Sequence, residues 1–268
     1  MELAFTKEQY TSIEELISQK NEIFARVLRE QKTFRHVRAE LTHELYEFGD
    51  FIVMRIGARR GLIRKTKDFK QEQLDTWPSV FIVINNDPNV QVMAVEEDAE
   101  AFYRTSTVVH IISTTLNPRL KKFRLRLEIR PTFERNEFWN IVRNYERRIV
   151  ETRFFMVAPN LAQISKGLEF NLGEIKKRTN SIKTNLAFQA PRGESLTLSE
   201  DDSFTNSLVN YSSEGGGTIH VKVRNFKKLI KTEDSIRTVE VDEIHFTGEN
   251  VSQQLIEQLG AQIRKVLE

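Results

Sequence analysis

Cysteine is absent from this chain of 268 residues, which leaves no disulfide framework, no thiolate metal site and no cysteine nucleophile. Proline (6) and glycine (11) are scarce, and no Gly/Ser/Pro-rich stretch reads as a linker. No apolar run approaches the roughly 18 residues that a membrane-crossing helix needs, so no membrane partner is expected. Met1 to Glu8 show no basic stretch followed by an apolar one, hence no secretory signal, and the expected location is cytoplasmic. An excess of one charge is missing too: 40 Lys and Arg stand against 38 Asp and Glu, for a net charge of +2. What the chain does hold is 39% hydrophobic and 29% charged residues, with 18 Phe, which excludes a disordered tail and implies an aromatic-rich core.

The length admits one large domain or two small ones at roughly 100–200 residues each. The patterns predict an α+β fold, with two mixed-sheet halves and packed helices behind a helical N-terminal segment. The segment is 1–48, the first half 49–160 and the second 161–268. Tyr10, Ile13, Leu16, Ile17, Phe24, Val27 and Leu28 recur at three- and four-residue spacing, as on a helix. The same reading continues through Phe34, Val37, Leu41 and Leu45 until Gly49-Asp50. Strands are expected at Phe51–Ile56, Val80–Ile84 and Val90–Val95, the last two joined by the turn residues Asn85 to Asn89. The acidic cluster Glu96, Glu97, Asp98 and Glu100 reads as the opening of a short helix. Phe123 to Arg130 alternates apolar and charged residues like a half-buried strand, and with a helix from Phe138 to Ile149 and a strand at Phe154–Val157 it suggests a βαβ unit. In the last hundred residues, helices are expected near 168–178 and 204–211, strands at 182–188, 218–223 and 236–246, and an amphipathic helix over 251–266.

Charge is segregated even though it balances. Arg55, Arg59, Arg60, Arg64, Lys65, Lys67 and Lys70 are opposed within their stretch only by Asp68. Arg119, Lys121, Lys122, Arg124, Arg126 and Arg130 are opposed only by Glu128, and Lys222, Arg224, Lys227, Lys228 and Lys231 surround Phe226. Such groups neutralise phosphates, and neighbouring aromatics such as Phe226 or Trp77 offer rings to bases. Even spacing would put Arg124, Arg126 and Arg130 on one strand face. The bland alternative is a solvated face, or ion pairs with the acidic blocks 96–100, 194–202 and 233–243.

Other constellations are weaker. Arg38-Ala39-Glu40-Leu41-Thr42-His43 fits R-x4-H and resembles the motif of HEPN-type helical ribonucleases, in which Arg and His act together on the scissile phosphate. Ala39 departs from the polar residue common there. His220 and His245, with Asp242 and Glu243, hold metal-ligand residue types but lack H-x-H or H-E-x-x-H spacing, so they read as structural and no metal or cofactor is expected. His36 shows nothing specific, and His110 reads as core or edge. Glu174-Ile175-Lys176 falls in an expected helix, away from the strand position of a nuclease E-x-K. Gly215-Gly216-Gly217 precedes a strand, where a phosphate loop would precede a helix, and reads as a hairpin or hinge. No G-x-S-x-G elbow is present.

The function expected from these residues is non-enzymatic binding of nucleic acid, DNA or RNA, alone or within a nucleic-acid-processing complex. The contacts would be Arg55, Arg59, Arg60, Arg64, Arg124, Arg126, Arg130, Lys227 and Lys228. Bacterial genome or phage-conflict systems are one setting for such a protein. The alternatives are a ribonuclease using Arg38 and His43 and a protein-interaction adaptor whose segregated charges set partner choice; the N- and C-terminal amphipathic helices offer a surface for a partner or a homo-oligomer.

Overall fold

A computed structural model describes residues 13–157, 172–179, 181, 183–238, 257–258 and 260–261. Both helices and antiparallel sheets are present, so the α+β class holds. The described residues fall into two compact units that meet in sequence between Ile129 and Arg130; the short piece around Gly260 belongs to the first.

In the first unit, α1 (Ile13–Arg29) precedes β1 (Leu41–Phe48), β2 (Phe51–Ala58), β3 (Arg60–Lys65), β4 (Gln71–Thr76), β5 (Ser79–Asp87), β6 (Val90–Val95) and α2 (Thr105–Leu120). The sheet order is β1-β2-β5-β6, with every neighbour antiparallel. Val80 to Ile84 is a continuous apolar run because β5 is central and covered on both faces. Ile52, Met54, Ile56, Ile82 and Ile84 share one core with Ile23, Val27 and Leu28 of α1 and Val108, Ile111, Ile112 and Leu116 of α2. Phe51, Val53 and Val83 are buried on the opposite side, where a Cβ added at Gly260 would come within 2.9 Å of the Phe51 ring.

The N-terminal helix ends at Arg29, and residues 41–48 form a strand instead of its continuation. Leu41 and Leu45 are four apart, a spacing that puts two side chains on one side of either a helix or a strand. Phe48 pairs with Phe51 across a two-residue turn in which Gly49 takes φ +56°, a conformation open to glycine at no steric cost. The acidic cluster opens no helix of its own. Asp98 Oδ1 accepts from the Glu100 and Ala101 amides at 2.7 and 3.4 Å, and α2 begins at Thr105.

The alternating segment after α2 is also no strand. A 3-10 turn over Lys121–Phe123 ends at Arg124 in the left-handed region, and residues 125–134 run without strand pairing. Alternation here records burial alone: Leu125, Leu127 and Ile129 pack on the first core while Arg124, Arg126 and Glu128 are exposed. The Asn117 side chain replaces a neighbouring strand. Its Nδ2 donates to the Leu127 carbonyl at 3.0 Å, and its Oδ1 accepts from the Leu127 amide at 2.8 Å.

The second unit contains α3 (Arg135–Asn144), β7 (Ile149–Val157), α4 (Leu172–Thr179), β8 (Lys183–Gln189), α5 (Ser203–Tyr211), β9 (Gly217–Val223) and β10 (Ile230–Lys231). The order β10-β9-β7-β8 is antiparallel throughout, so the βαβ unit is not formed. Phe138, Trp139, Phe154, Met156, Leu208, Tyr211, Ile219 and Val221 make the core. Asp202 caps α5, its Oδ2 accepting from the Thr205 amide at 2.8 Å, as an N-terminal carboxylate should. The glycine triplet joins α5 to β9 through a wide turn over Ser212–Gly216, with Gly215 at φ +90°. A side chain at Gly216 would overlap Tyr211, and one at Gly217 the Phe155 backbone. The strand expected at 236–246 and the helix at 251–266 lie largely outside the described residues. Among the described residues, no helix is long and apolar enough to cross a membrane.

Candidate nucleic-acid interface

The basic stretch beyond Arg59 becomes a separate β-hairpin. β3 and β4 pair only with each other, in register from Arg60↔Thr76 to Lys65↔Gln71. Nearly every residue of the pair is exposed, because neither strand has an apolar face for the core: Leu62 opposes Leu74, with Leu62 50% exposed, and Ile63 on the other face is 66% exposed. A two-stranded ribbon of this kind is marginally stable alone. Ionic and polar contacts brace it. Arg59 bridges Asp75 at 2.7 Å and Glu40 at 3.3 Å, Arg60 donates to the Ala101 carbonyl at 2.6 Å, and Arg64 meets Glu72 at 2.8 Å. The hydrogen bond from Arg59 holds the Asp75 carboxyl below its ordinary value.

The tip is a short loop. The Thr66 amide donates to the Lys70 carbonyl at 2.9 Å, and the Phe69 amide donates to the Thr66 carbonyl at 3.0 Å. This is the pattern of a β-turn followed by one left-handed residue, a position normally held by glycine. Here it is Phe69, at φ +61° and 94% exposed. The left-handed conformation costs an ordinary L-residue roughly 1–2 kcal/mol. Lys65, Lys67 and Lys70 surround it, and among the described residues none of the three forms an ion pair. With Arg64, Thr66, Asp68 and Glu72 they line a shallow, open concavity.

The residues expected to bind phosphate are therefore dispersed. Arg55 lies on β2, its guanidinium 5.4 Å from the centre of the Phe81 ring and its Nε donating to Ser79 Oγ at 2.9 Å. Arg59, Arg60 and Arg64 are on the arm but engaged as described. Arg124 and Arg126 are exposed on the unpaired segment, Arg126 lying 3.7 Å from Glu128. Arg130 belongs to the second unit and is half-buried. The single strand face expected for Arg124, Arg126 and Arg130 does not exist. Lys227 and Lys228 are exposed on the turn after β9. Phe226 beside them is 38% exposed, with Tyr145 in an edge-type contact at 5.2 Å and the Arg148 guanidinium 5.5 Å from its ring centre, so part of the ring is already covered. Trp77 sits at the base of the arm, partly exposed. The three tip lysines and Phe69, which the arm brings together, are the residues that the arginine-centred reading passes over.

Arg38 lies in a turn and His43 on β1, so the helix that the ribonuclease motif requires is absent from this segment. His43 Nε2 is 3.1 Å from the Gln31 carbonyl oxygen, and its ring packs edge-on against Phe34 at 4.8 Å. His36 lies in the turn beside Arg38, and burial, with Arg60 and Arg38 nearby, lowers its pKa. His110 is on an exposed face of α2. His220 lies on β9, 4.6 Å from the Phe155 ring and 3.6 Å from Glu233, and burial lowers its pKa. Asp242, Glu243 and His245 lie outside the described residues. Glu96 accepts the Phe81 amide at 2.8 Å, which gives that acidic cluster a structural use.

No family model matches the chain, and no curated protein or solved structure is similar to it.

Proposed function

We propose that this protein binds nucleic acid through the β3–β4 arm, with Lys65, Lys67 and Lys70 on backbone phosphates. The observation that carries the reading is the pairing of an arm exposed on both faces with a tip of three lysines that form no ion pair among the described residues. A lysine is a flexible point charge suited to phosphate, and an arm exposed on both faces holds its tip clear of its own sheet. Arg59, Arg60 and Arg64 shape the arm in this reading and leave the ligand to the lysines. No catalytic step is invoked, and the cytoplasm is where such a protein would meet its ligand.

The test is fluorescence anisotropy with labelled DNA and RNA at about 50 and 200 mM salt, between which three phosphate contacts should weaken binding about 20- to 40-fold. The slope of log K against log salt should fall by up to about 3 when Lys65, Lys67 and Lys70 are all changed to Gln. Absence of binding at the lower salt, or binding indifferent to the triple change, would refute the proposal.

A further inference from the structure

We infer that Phe69 is a base-stacking residue and that the arm's ligand is single-stranded nucleic acid; this rests on the proposed function and narrows it. The residue in the left-handed position of the loop gains nothing in folding. Phe69 is 94% exposed, so its ring buries almost no surface within the chain. Its backbone is left-handed at φ +61°, where glycine would fit without strain. The loop itself is held by backbone bonds between Thr66 and Lys70 and between Phe69 and Thr66, neither of which needs a side chain at position 69. An aromatic ring that is strained, exposed and dispensable to its own turn points to a use outside the fold.

The surroundings indicate which use. Lys67 and Lys70 flank the ring at two residues and one residue along the chain, with Lys65 at the strand end. An exposed ring in the same short loop as lysines that form no ion pair among the described residues matches a ligand that alternates flat faces with negative charges. Bases in an intact duplex are stacked on one another, and their faces are closed to a side chain. Those of a single strand are open, and any base presents the same kind of face, so contact is tolerant of sequence. Phe226, another aromatic in a basic group, is 38% exposed and already contacts Tyr145 and Arg148, so it offers a base less of its ring than Phe69 does.

The experiment compares the full chain with Phe69→Gly, Phe69→Leu and Phe69→Trp, against a labelled oligothymidine of about 20 nucleotides and a blunt duplex of the same length, long enough to span a site of roughly 4–16 nucleotides. Wild type should prefer the single strand. Phe69→Gly and Phe69→Leu should each weaken that binding about 5- to 150-fold, while Phe69→Trp preserves it. The salt slope should stay unchanged in all three, because no phosphate contact is removed. Amide exchange at Thr66 and Phe69 in the glycine variant should be as slow as in wild type or slower, which shows that the loop persists. Wild-type binding by Phe69→Gly, or tighter binding of duplex than of oligothymidine by wild type, would overturn the inference. If the triple lysine change abolishes binding while Phe69→Gly does not, the stacking role falls and the phosphate-binding arm stands. If neither change matters, both fall.

Discussion

The substitution Asn117→Ala tests whether one side chain can stand in for a strand. Asn117 closes two hydrogen bonds with the Leu127 backbone, at 3.0 and 2.8 Å, and Leu127 packs on the first core through a segment without sheet neighbours. Each bond is worth about 1 kcal/mol net, and the exposed loss is moderated because alanine is the better helix former by about 0.5 kcal/mol. The balance is a destabilisation of about 1–2 kcal/mol. For a unit of this size that lowers Tm by about 2–8 °C. Differential scanning calorimetry on the full chain is the assay, with the two units allowed separate transitions. Amide exchange at Leu127 reports the same event locally and should accelerate sharply. Asn117→Asp sharpens the test: it still accepts the Leu127 amide but sets a carboxylate against the Leu127 carbonyl, so it should be worse than alanine at neutral pH. A Tm within about 1 °C of wild type, with Leu127 exchange unchanged, would refute the view that this clip holds the segment.

Two further outcomes concern a glycine pair, one in each unit, and the cap of α5. Gly217→Ala places a methyl group into the Phe155 backbone and should cost about 3 kcal/mol, read as an early thermal transition, whereas Gly49→Ala meets no neighbouring atom within 4 Å and should cost about 1 kcal/mol of backbone strain. The Asp202 carboxyl is held below its ordinary value of 3.8 by the Thr205 hydroxyl and amide, so the folded chain binds fewer protons there than the unfolded one. Its contribution is complete above that value and is lost as pH falls through the folded one; Asp202→Asn keeps the cap and should flatten this acid limb of Tm against pH.

The elements readable from the residues are those whose pattern has one physical meaning. The run Val80–Ile84 followed by Asn85-Asn86-Asp87-Pro88-Asn89 admits little besides a buried strand and a turn, and β5 and β6 form as expected. Two other patterns have two meanings. Leu41 and Leu45 satisfy helix and strand alike, and Phe123–Arg130 alternates because one side packs on a core, with or without strand partners. The arm was hidden for the opposite cause: Arg60-Gly61-Leu62-Ile63-Arg64-Lys65 has no face to bury, so no period marks it as a strand. Phe69 could not be singled out by composition, since its distinction is a backbone angle. The arginines attracted notice by number, yet several are spent on Asp75, Glu72 and backbone carbonyls, and it is the tip lysines that remain open to a ligand.

β2 and β5 are direct neighbours, with Gly57 opposite Ser79 and the Ala58 amide bonded to the Pro78 carbonyl at 3.0 Å. The chain thus departs from the sheet at Ala58 and re-enters at Pro78 beside its point of departure. Residues 59–77 form a cassette in consequence. A tight turn could replace them with no change of strand order and with a shorter loop to close. The tip can then be exchanged while the sheet stays constant, so that the ligand preference proposed for it should follow one short segment. The same segment should be portable to another antiparallel pair that offers a matching gap.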